Sequence, residues 1–240
     1  MMIRTLAASA LVLTLAACSR PTEPAPAREP PAAPDTTVEA GPPRADPTAT
    51  APVEGGLQGG TDQWKTVASA DDQDRLARLD DAWKQALREA NNEFGAQLDA
   101  LGMLAVQDEA LEALPLQPGP GKYRCRTIKI GTIIDGLKYV AYPWFTCTVE
   151  LTPGGDLILT KTTGSQRTKG LIYPDSDNPK RLIYVGAQAW GDQETTFPAY
   201  GAQPERDQVG VIERIGNGRW RMVVPWPKQE SKLDILEIRS

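Results

Sequence analysis

The chain has 240 residues, none of which is histidine, and it contains only three cysteines. Without histidine, Ser-His-Asp and Cys-His catalysis are excluded, as is every zinc site that needs an imidazole ligand. The 26 Lys and Arg residues are outnumbered by 31 Asp and Glu residues, so the positive charge typical of nucleic-acid-binding proteins is missing. We therefore expect no metal ion, no other cofactor and no nucleic-acid partner.

The only long apolar run lies at the N-terminus. Arg4 precedes a mostly apolar stretch, residues 5–15, which is too short to cross a membrane but typical of a signal peptide. The sequence LAAC at 15–18 then resembles a bacterial lipobox, in which small residues admit the peptidase and the thiol accepts the lipid. We expect residues 1–17 to be a lipoprotein signal peptide and Cys18 to carry acyl chains such as palmitate. The alternative is an ordinary secretory signal with an incidental cysteine.

The residues after Cys18 predict an anchored and tethered protein. Ser19 stands where lipoproteins kept in the inner membrane usually have aspartate, so the resemblance points to the outer membrane and a location facing the periplasm. Residues 18–60 hold ten of the 21 prolines and no aromatic residue. Such a segment buries too little apolar surface to offset its ordering entropy, and we expect a disordered tether. Whether it positions the domain or only provides clearance is left open.

Residues 61–240 are long enough for one globular domain, and the first part, 69–115, has a helical pattern. Ser69 can cap a helix whose first turn contains Asp71 and Asp72. Apolar residues then recur every three or four positions as far as Leu101, although Asn91, Asn92 and Gly95 weaken the middle. A second helical stretch covers residues 107–114. We expect the apolar stripe to pack on the rest of the domain, and a partner-binding helix is the alternative.

Residues 121–240 have the pattern of an antiparallel β-sheet. About eight short β-branched or aromatic segments are separated by turn residues, with no helical segment between them. The dipeptides Asp135-Gly136, Gly164-Ser165 and Asn217-Gly218 occupy candidate hairpin tips. The predicted fold is mainly β with an N-terminal helical segment (α+β): a meander that closes as a barrel or forms a sandwich. We favour a small up-and-down barrel.

Cys125 and Cys147 lie on consecutive predicted strands around the Asp135-Gly136 turn. A hairpin with a three-residue loop, 135–137, would place the two cysteines directly opposite each other, at a Cα distance of about 4.5–5.5 Å that suits a disulfide. Export to an oxidising compartment favours the bond. The alternative is a redox pair or a catalytic thiol. Because there is no Cys-x-x-Cys motif, we predict a structural disulfide.

Four basic residues in the strand region are candidates for binding a ligand: Arg124, Arg126, Lys129 and Arg167. Arg124 and Arg126 share one face of their strand with Ile128 and Ile130. Two guanidinium groups beside isoleucines fit a barrel interior that holds an anion, or a rim where arginines extend to solvent. The simplest alternative is exposed arginines paired with some of the many acids.

Other polar groups offer weaker hypotheses for an enzyme. Ser165, with Lys161 or Lys169 as its base, is conceivable as a nucleophile, although a Gly-Ser turn explains the same residues. Asp192 and Glu194 form a candidate acid/base pair.

The segment DSDN at 175–178 resembles the start of a calcium loop. Pro179 occupies the position of the third ligand, however, and no glycine or glutamate follows in register. We interpret the segment as a turn.

Six strings in the domain carry a family resemblance: DRLARLDDAWKQALREA, GKYRCRTIKIG, FTC, KTTGSQRTKGLIYP, RWRMVVPWP and LDILEI. They resemble an uncharacterised bacterial family, domain of unknown function 4893, from about Trp64 to Arg239. The resemblance implies the domain boundary and no activity, ligand or catalytic residue. We expect a binding module for a small anionic or amphipathic ligand or for an envelope protein. A histidine-free hydrolase-like enzyme and a purely structural envelope lipoprotein are the alternatives.

Overall fold

A computed structural model of the protein describes residues 61–107 and 116–240. The predicted signal peptide, Cys18 and the predicted tether lie outside the described residues, as does nearly all of the helical stretch predicted at 107–114. These expectations therefore stay predictions. Residues 49–240 belong to one compact unit. Within the described ranges, no helix combines the length and the apolar character needed to cross a membrane.

The N-terminal part of the domain is helical, as predicted. Ser69 caps the second helix by accepting a hydrogen bond from the backbone N–H of Asp72. The apolar stripe is divided at Arg78, and the third helix has a non-helical backbone at Phe94, near the predicted weak point. The helices are α1 (Trp64–Val67), α2 (Ala70–Ala77) and α3 (Leu79–Asp99), followed by a short 3₁₀ helix, Gly102–Leu104.

Eight antiparallel strands form a closed up-and-down barrel, which confirms the predicted mainly β fold. The strands are β1 (Gly121–Ile130), β2 (Tyr139–Ala141), β3 (Phe145–Leu151), β4 (Leu157–Lys161), β5 (Gln166–Pro174), β6 (Arg181–Trp190), β7 (Asp207–Gly216), β8 (Arg219–Pro225) and β9 (Leu233–Arg239). Neighbours pair in sequence order from β3 to β9, and β1 pairs with both β3 and β9. The β1–β9 pairing closes the barrel and excludes a sandwich. The ninth strand, β2, pairs only with the end of β1.

The domain has two apolar cores on opposite faces of the same sheet. One fills the barrel interior and includes Cys125, Leu159 and Ile212. The other lies outside, where α1–α3 cover residues such as Ile128 and Val211. Both cores are formed by residues within 61–240, so this part of the chain contains a complete folding core.

The predicted disulfide between Cys125 and Cys147 is present, inside the barrel, with a Cα–Cα distance of 5.8 Å. The predicted pairing is wrong by two residues, because Cys147 lies opposite Tyr123 and Cys125 lies opposite Phe145. The bond therefore joins diagonal neighbours. The physical reason is that β1 first pairs with β2 after a loop of residues 131–138, and Pro143 then interrupts the ladder before β3 begins.

Gly170 and Gly186 face each other inside the barrel and make room for the ring of Tyr184. A Cβ atom at Gly170 would lie 2.7 Å from Cζ of Tyr184 and 2.5 Å from Cα of Gly186. We expect Gly170→Ala to lower the free energy of unfolding by about 1–3 kcal/mol through overpacking. Urea denaturation measures this, with Gly119→Ala as the control, because its added methyl meets no atom within 4 Å. Equal stability of the two variants would contradict the prediction.

Candidate functional site

One end of the barrel interior is closed by aromatic side chains and the segment that precedes β1. The rings of Tyr123 and Trp220 meet edge to face, with centroids 5.8 Å apart. Their donors are bonded to the backbone of the same segment: the hydroxyl of Tyr123 to the carbonyl of Gly119, and the indole N–H of Trp220 to the carbonyl of Leu116. Among the described residues, these side chains and this segment fill this end of the barrel.

The opposite end of the interior is polar. Successive side chains of a strand point to opposite faces of the sheet. Because Cys125 and Cys147 point into the barrel, every second residue along their strands also points inward, and at this end those residues are polar. Most of these residues were missed by the sequence analysis. The alternation of side chains along each strand identifies them only when the inner face of one strand is already known. They are Thr127, Lys129, Lys161, Gln166, Thr168, Gln188, Gln208 and Asp234.

Lys161 is the unusual member of this group. Its side chain is buried, with 4% of the residue exposed, and its Nζ donates hydrogen bonds to the carbonyls of Thr163 (2.8 Å) and Gln166 (2.7 Å). The ammonium also lies 4.2 Å from the ring centroid of Phe145. In the described part of the chain, no carboxylate lies within 4 Å of this Nζ. Lys161 is therefore a buried cation without an anionic partner.

Lys129 and Lys161 differ because, among the described residues, Lys129 has carboxylates within 4 Å of its Nζ and Lys161 has none. Burial alone would lower the pKa of Lys129, but Asp234 and Glu230, whose carboxylate accepts a 2.8 Å bond, raise it above the usual value. Burial lowers the pKa of Lys161 to about 8, and the positive charges of Arg167 and Lys129 add to this effect. Burial also raises the pKa of Asp234, with Lys129 acting in the opposite direction. An anion that binds at this end of the barrel would therefore pair with the ammonium group of Lys161, since that of Lys129 is already paired with carboxylates.

Lys161 lines two cavities, which share Thr127 and Gln166 as further lining residues. One of about 200 Å³ is partly open to solvent and is lined by Thr127, Tyr142, Phe145, Lys161, Ser165, Gln166 and Glu230. The other, of about 30 Å³, has room for roughly two water molecules and reaches Gln188 and Gln208. The buried Oε1 of Gln208 has no hydrogen-bond partner among the described residues. It can accept a hydrogen bond from a bound molecule.

The mouth has an apolar rim on one side. The loop 131–138 exposes Ile133 (49%), Ile134 (59%) and Leu137 (70%), which are half of the large apolar residues exposed in the described ranges. The loop is attached to the mouth, because the backbone N–H of Ile133 donates to the carbonyl of Glu230 at 3.0 Å. The ammonium group of Lys161 and an apolar rim together suit an amphipathic anion.

The structure separates the four predicted ligand-binding residues. Lys129 points into the barrel, whereas Arg124 and Arg126 lie on its outer face, so the barrel-interior alternative for the two arginines does not hold. The predicted face shared with Ile128 and Ile130 is correct, and those isoleucines pack under the helices outside the barrel. Because both faces of this strand are partly apolar, the sequence pattern could not show which face was inside.

Arg167 lies outside the barrel as well, on β5. Its guanidinium donates to the carbonyls of Gly191 and Glu194 and lies 5.7 Å from the ring centroid of Phe197. It influences the mouth only through its charge, which contributes to the lowered pKa of Lys161.

The groups considered for catalysis are not arranged as a nucleophile and its base. Ser165 is exposed and lines the same cavity as Lys161, but the amine of Lys161 donates to two backbone carbonyls instead of pairing with the hydroxyl. Lys169 is exposed on the outer face. Glu194 accepts bonds from the backbone of Trp190 and from Arg206, whereas Asp192 is exposed.

The segment 175–178 forms the turn between β5 and β6. Asp175 accepts a hydrogen bond from the backbone N–H of Asp177 and pairs with Arg181 at 2.5 Å. Within residues 61–107 and 116–240, no group of three or more Cys, Asp or Glu side chains is arranged to hold a metal ion.

A family model described as a domain of unknown function (DUF4893) matches residues 64–238. The chain belongs to this family. The match spans the three helices and the barrel, so the DUF4893 domain coincides with the folding unit described above. No curated protein and no solved structure matches the chain.

Proposed function

We propose that the DUF4893 domain is a binding module for a small amphipathic anion, held at the polar end of the barrel. The observation that carries the proposal is Lys161, a buried cation that has no carboxylate partner in the described chain and faces a cavity open to solvent. A buried charge is costly when it is unpaired, and a bound anion would relieve that cost.

The surroundings of Lys161 suit the two parts of such a ligand. The hydroxyl groups of Thr127 and Ser165 line the same cavity and can donate to a carboxylate or phosphate head group. Tyr142 and Phe145 line its outer part and can cover an alkyl chain. The volume of about 200 Å³ limits the enclosed portion to a small molecule or to the end of a longer one.

We further propose that the module works at the cell envelope. The lipobox-like sequence at 15–18 supports lipidation of Cys18, and Ser19 supports an outer-membrane position facing the periplasm. The proline-rich residues between Cys18 and the domain would let the binding site operate at a distance from the membrane.

The test of the binding site is a Lys161→Met variant of residues 49–240. Hexanoate and hexyl phosphate serve as probes, and calorimetry measures their affinity. We expect a loss of affinity of about ten-fold or more, because a charge-assisted contact is removed. The affinity of the wild-type domain should also fall as the pH rises above about 8, where the amine, with its lowered pKa, loses its proton.

Lys169→Met is the matched control, because it removes the same charge from the same hairpin on the outer face. It should leave the affinity within about two-fold of the wild type, in line with a screened surface charge. Binding that is unchanged in Lys161→Met, or lost equally in both variants, would contradict the proposed site. If the proposed site is supported, native mass spectrometry of the domain purified from the cell envelope of the source bacterium would identify the natural ligand.

A further inference from the structure

Three arginines form a row across three neighbouring strands on the outer face of the barrel. Arg239 on β9 lies directly opposite Arg124 on β1 and directly opposite Arg219 on β8. With strands about 4.8 Å apart, the row is about 10 Å wide. Like charges in directly opposed positions destabilise a sheet unless acidic groups compensate for them.

One carboxylate, that of Glu237, pairs with two arginines of this row and with the adjacent Arg126. Glu237 is fully buried and accepts hydrogen bonds from the Nε atoms of Arg126 (2.7 Å), Arg219 (2.8 Å) and Arg239 (2.7 Å). Burial alone would raise the pKa of Glu237, but these guanidiniums outweigh it and lower the pKa below its usual value. Four arginines around one carboxylate leave an excess of about three positive charges. The chain as a whole has a net charge of −5.

Trp144 holds three of these arginines in place. The guanidinium carbons of Arg124, Arg126 and Arg239 lie 4.8, 4.9 and 5.1 Å from its ring centroid. Arg124 is exposed, and in the described chain no carboxylate lies within 4 Å of it. Stacking on the ring orders each guanidinium. Arg124 also keeps its N–H edge free of any carboxylate of the described chain, which is the geometry that recognises phosphate.

The position of this arginine patch (Arg124, Arg126, Arg219, Arg239 and Trp144) decides what kind of partner fits it. It lies on the outer, convex face of the barrel, and none of the cavities described above includes any of its members. A convex patch suits an extended surface better than an enclosed small molecule. Arginine contacts phosphate, and tryptophan is enriched at membrane–water interfaces.

We propose that the arginine patch docks the domain on an anionic lipid surface through the lipid phosphate groups. This contact is separate from the ligand cavity, because Arg124 and Arg126 point away from the barrel interior. It does not depend on the lipid anchor either, so a domain that lacks residues 1–48 should show it.

Co-sedimentation of residues 49–240 with lipid vesicles tests the proposal. Vesicles of equimolar phosphatidylglycerol and phosphatidylcholine are compared with phosphatidylcholine alone at low salt. We expect binding only to the anionic vesicles, weakened about five-fold by Arg124→Gln and about twenty-five-fold by Arg124→Gln with Arg239→Gln. Arg124→Lys, which keeps the charge but loses the planar guanidinium, should bind more weakly than the wild type and more tightly than Arg124→Gln.

Arg88→Gln is the matched control, because Arg88 is an exposed arginine on α3 that does not belong to the patch. It should weaken vesicle binding less than two-fold, since charges distant from the contact are screened. Absence of binding to anionic vesicles, or an equal loss in Arg88→Gln, would overturn the proposal. Saturable binding of inorganic phosphate without vesicle binding would also overturn it, and would indicate a free-anion site. Arg124 makes no contact with Glu237, so the single variant should keep the native circular dichroism spectrum.

Discussion

Replacing Arg221 with methionine should lower the free energy of unfolding by about 3–5 kcal/mol, the largest effect we expect from one side chain. Arg221 is fully buried between β8 and the helices, where its Nε bonds to Glu213 at 2.7 Å. Its Nη1 donates to the carbonyls of Met103 (2.7 Å) and Val106 (2.6 Å), which follow α3. Methionine fills a similar volume but leaves the carboxylate and the carbonyls without their donor.

Urea denaturation of residues 49–240, followed by circular dichroism, measures the effect. Lys65→Met is the control, because it breaks an exposed ion pair with Asp177 that should contribute less than about 1 kcal/mol. Arg221→Met combined with Glu213→Leu should recover part of the stability, since the unpaired carboxylate is then removed as well. A loss below about 1 kcal/mol in Arg221→Met would show that the buried pair does not hold the helices to the barrel.

Removing the disulfide should have the second largest effect. Cys125 and Cys147 are separated by 22 residues, and opening a loop of this length costs about 3 kcal/mol in the chain-entropy model. Both residues are fully buried inside the barrel, so the Cys125→Ala, Cys147→Ala variant also loses some packing. We expect the urea midpoint to fall accordingly, with the variant still folded because the β1–β9 pairing closes the barrel independently.

Chemical reduction separates the covalent bond from the packing. A reductant should destabilise the wild-type domain by about 3 kcal/mol and leave the double alanine variant unchanged. If the oxidised and reduced wild-type domains unfold at the same urea concentration, the bond contributes nothing measurable and the predicted structural role is wrong.

Local patterns were enough to predict most of the elements. Ser69 begins a helix because a serine side chain can accept the first free N–H of the chain that follows it. Asn217-Gly218 connects β7 and β8 as predicted, and Gly218 adopts a positive φ of 59° that glycine reaches without strain. Residues 137–151 have a continuous strand-like pattern, but they form two strands, β2 and β3, because Pro143 cannot donate to a ladder.

The candidate site was harder to predict because its residues come from six strands. Lys161 was considered only as a possible base for Ser165, and Gln166, Gln188 and Gln208 belong to no recognised binding or catalytic motif. All of these side chains point into the barrel because side chains alternate between the two faces of each strand. The alternation predicts this only when the inner face of one strand is known. On β1 that face is ambiguous, since Ile128 packs under helices outside while Cys125 packs inside.

The sequence by itself determined the class of the fold, the order and type of its elements and the pairing of its two domain cysteines. It also excluded histidine-based chemistry. These properties depend on residue type and on spacing within one or two strands. Only the tertiary structure decided that the sheet closes, which face is inside and which charges remain unpaired. The barrel closes, and its interior is buried, because β1 pairs with β9, which lies more than a hundred residues later in the sequence. The periodicity of a short segment does not show which distant segment it will pair with.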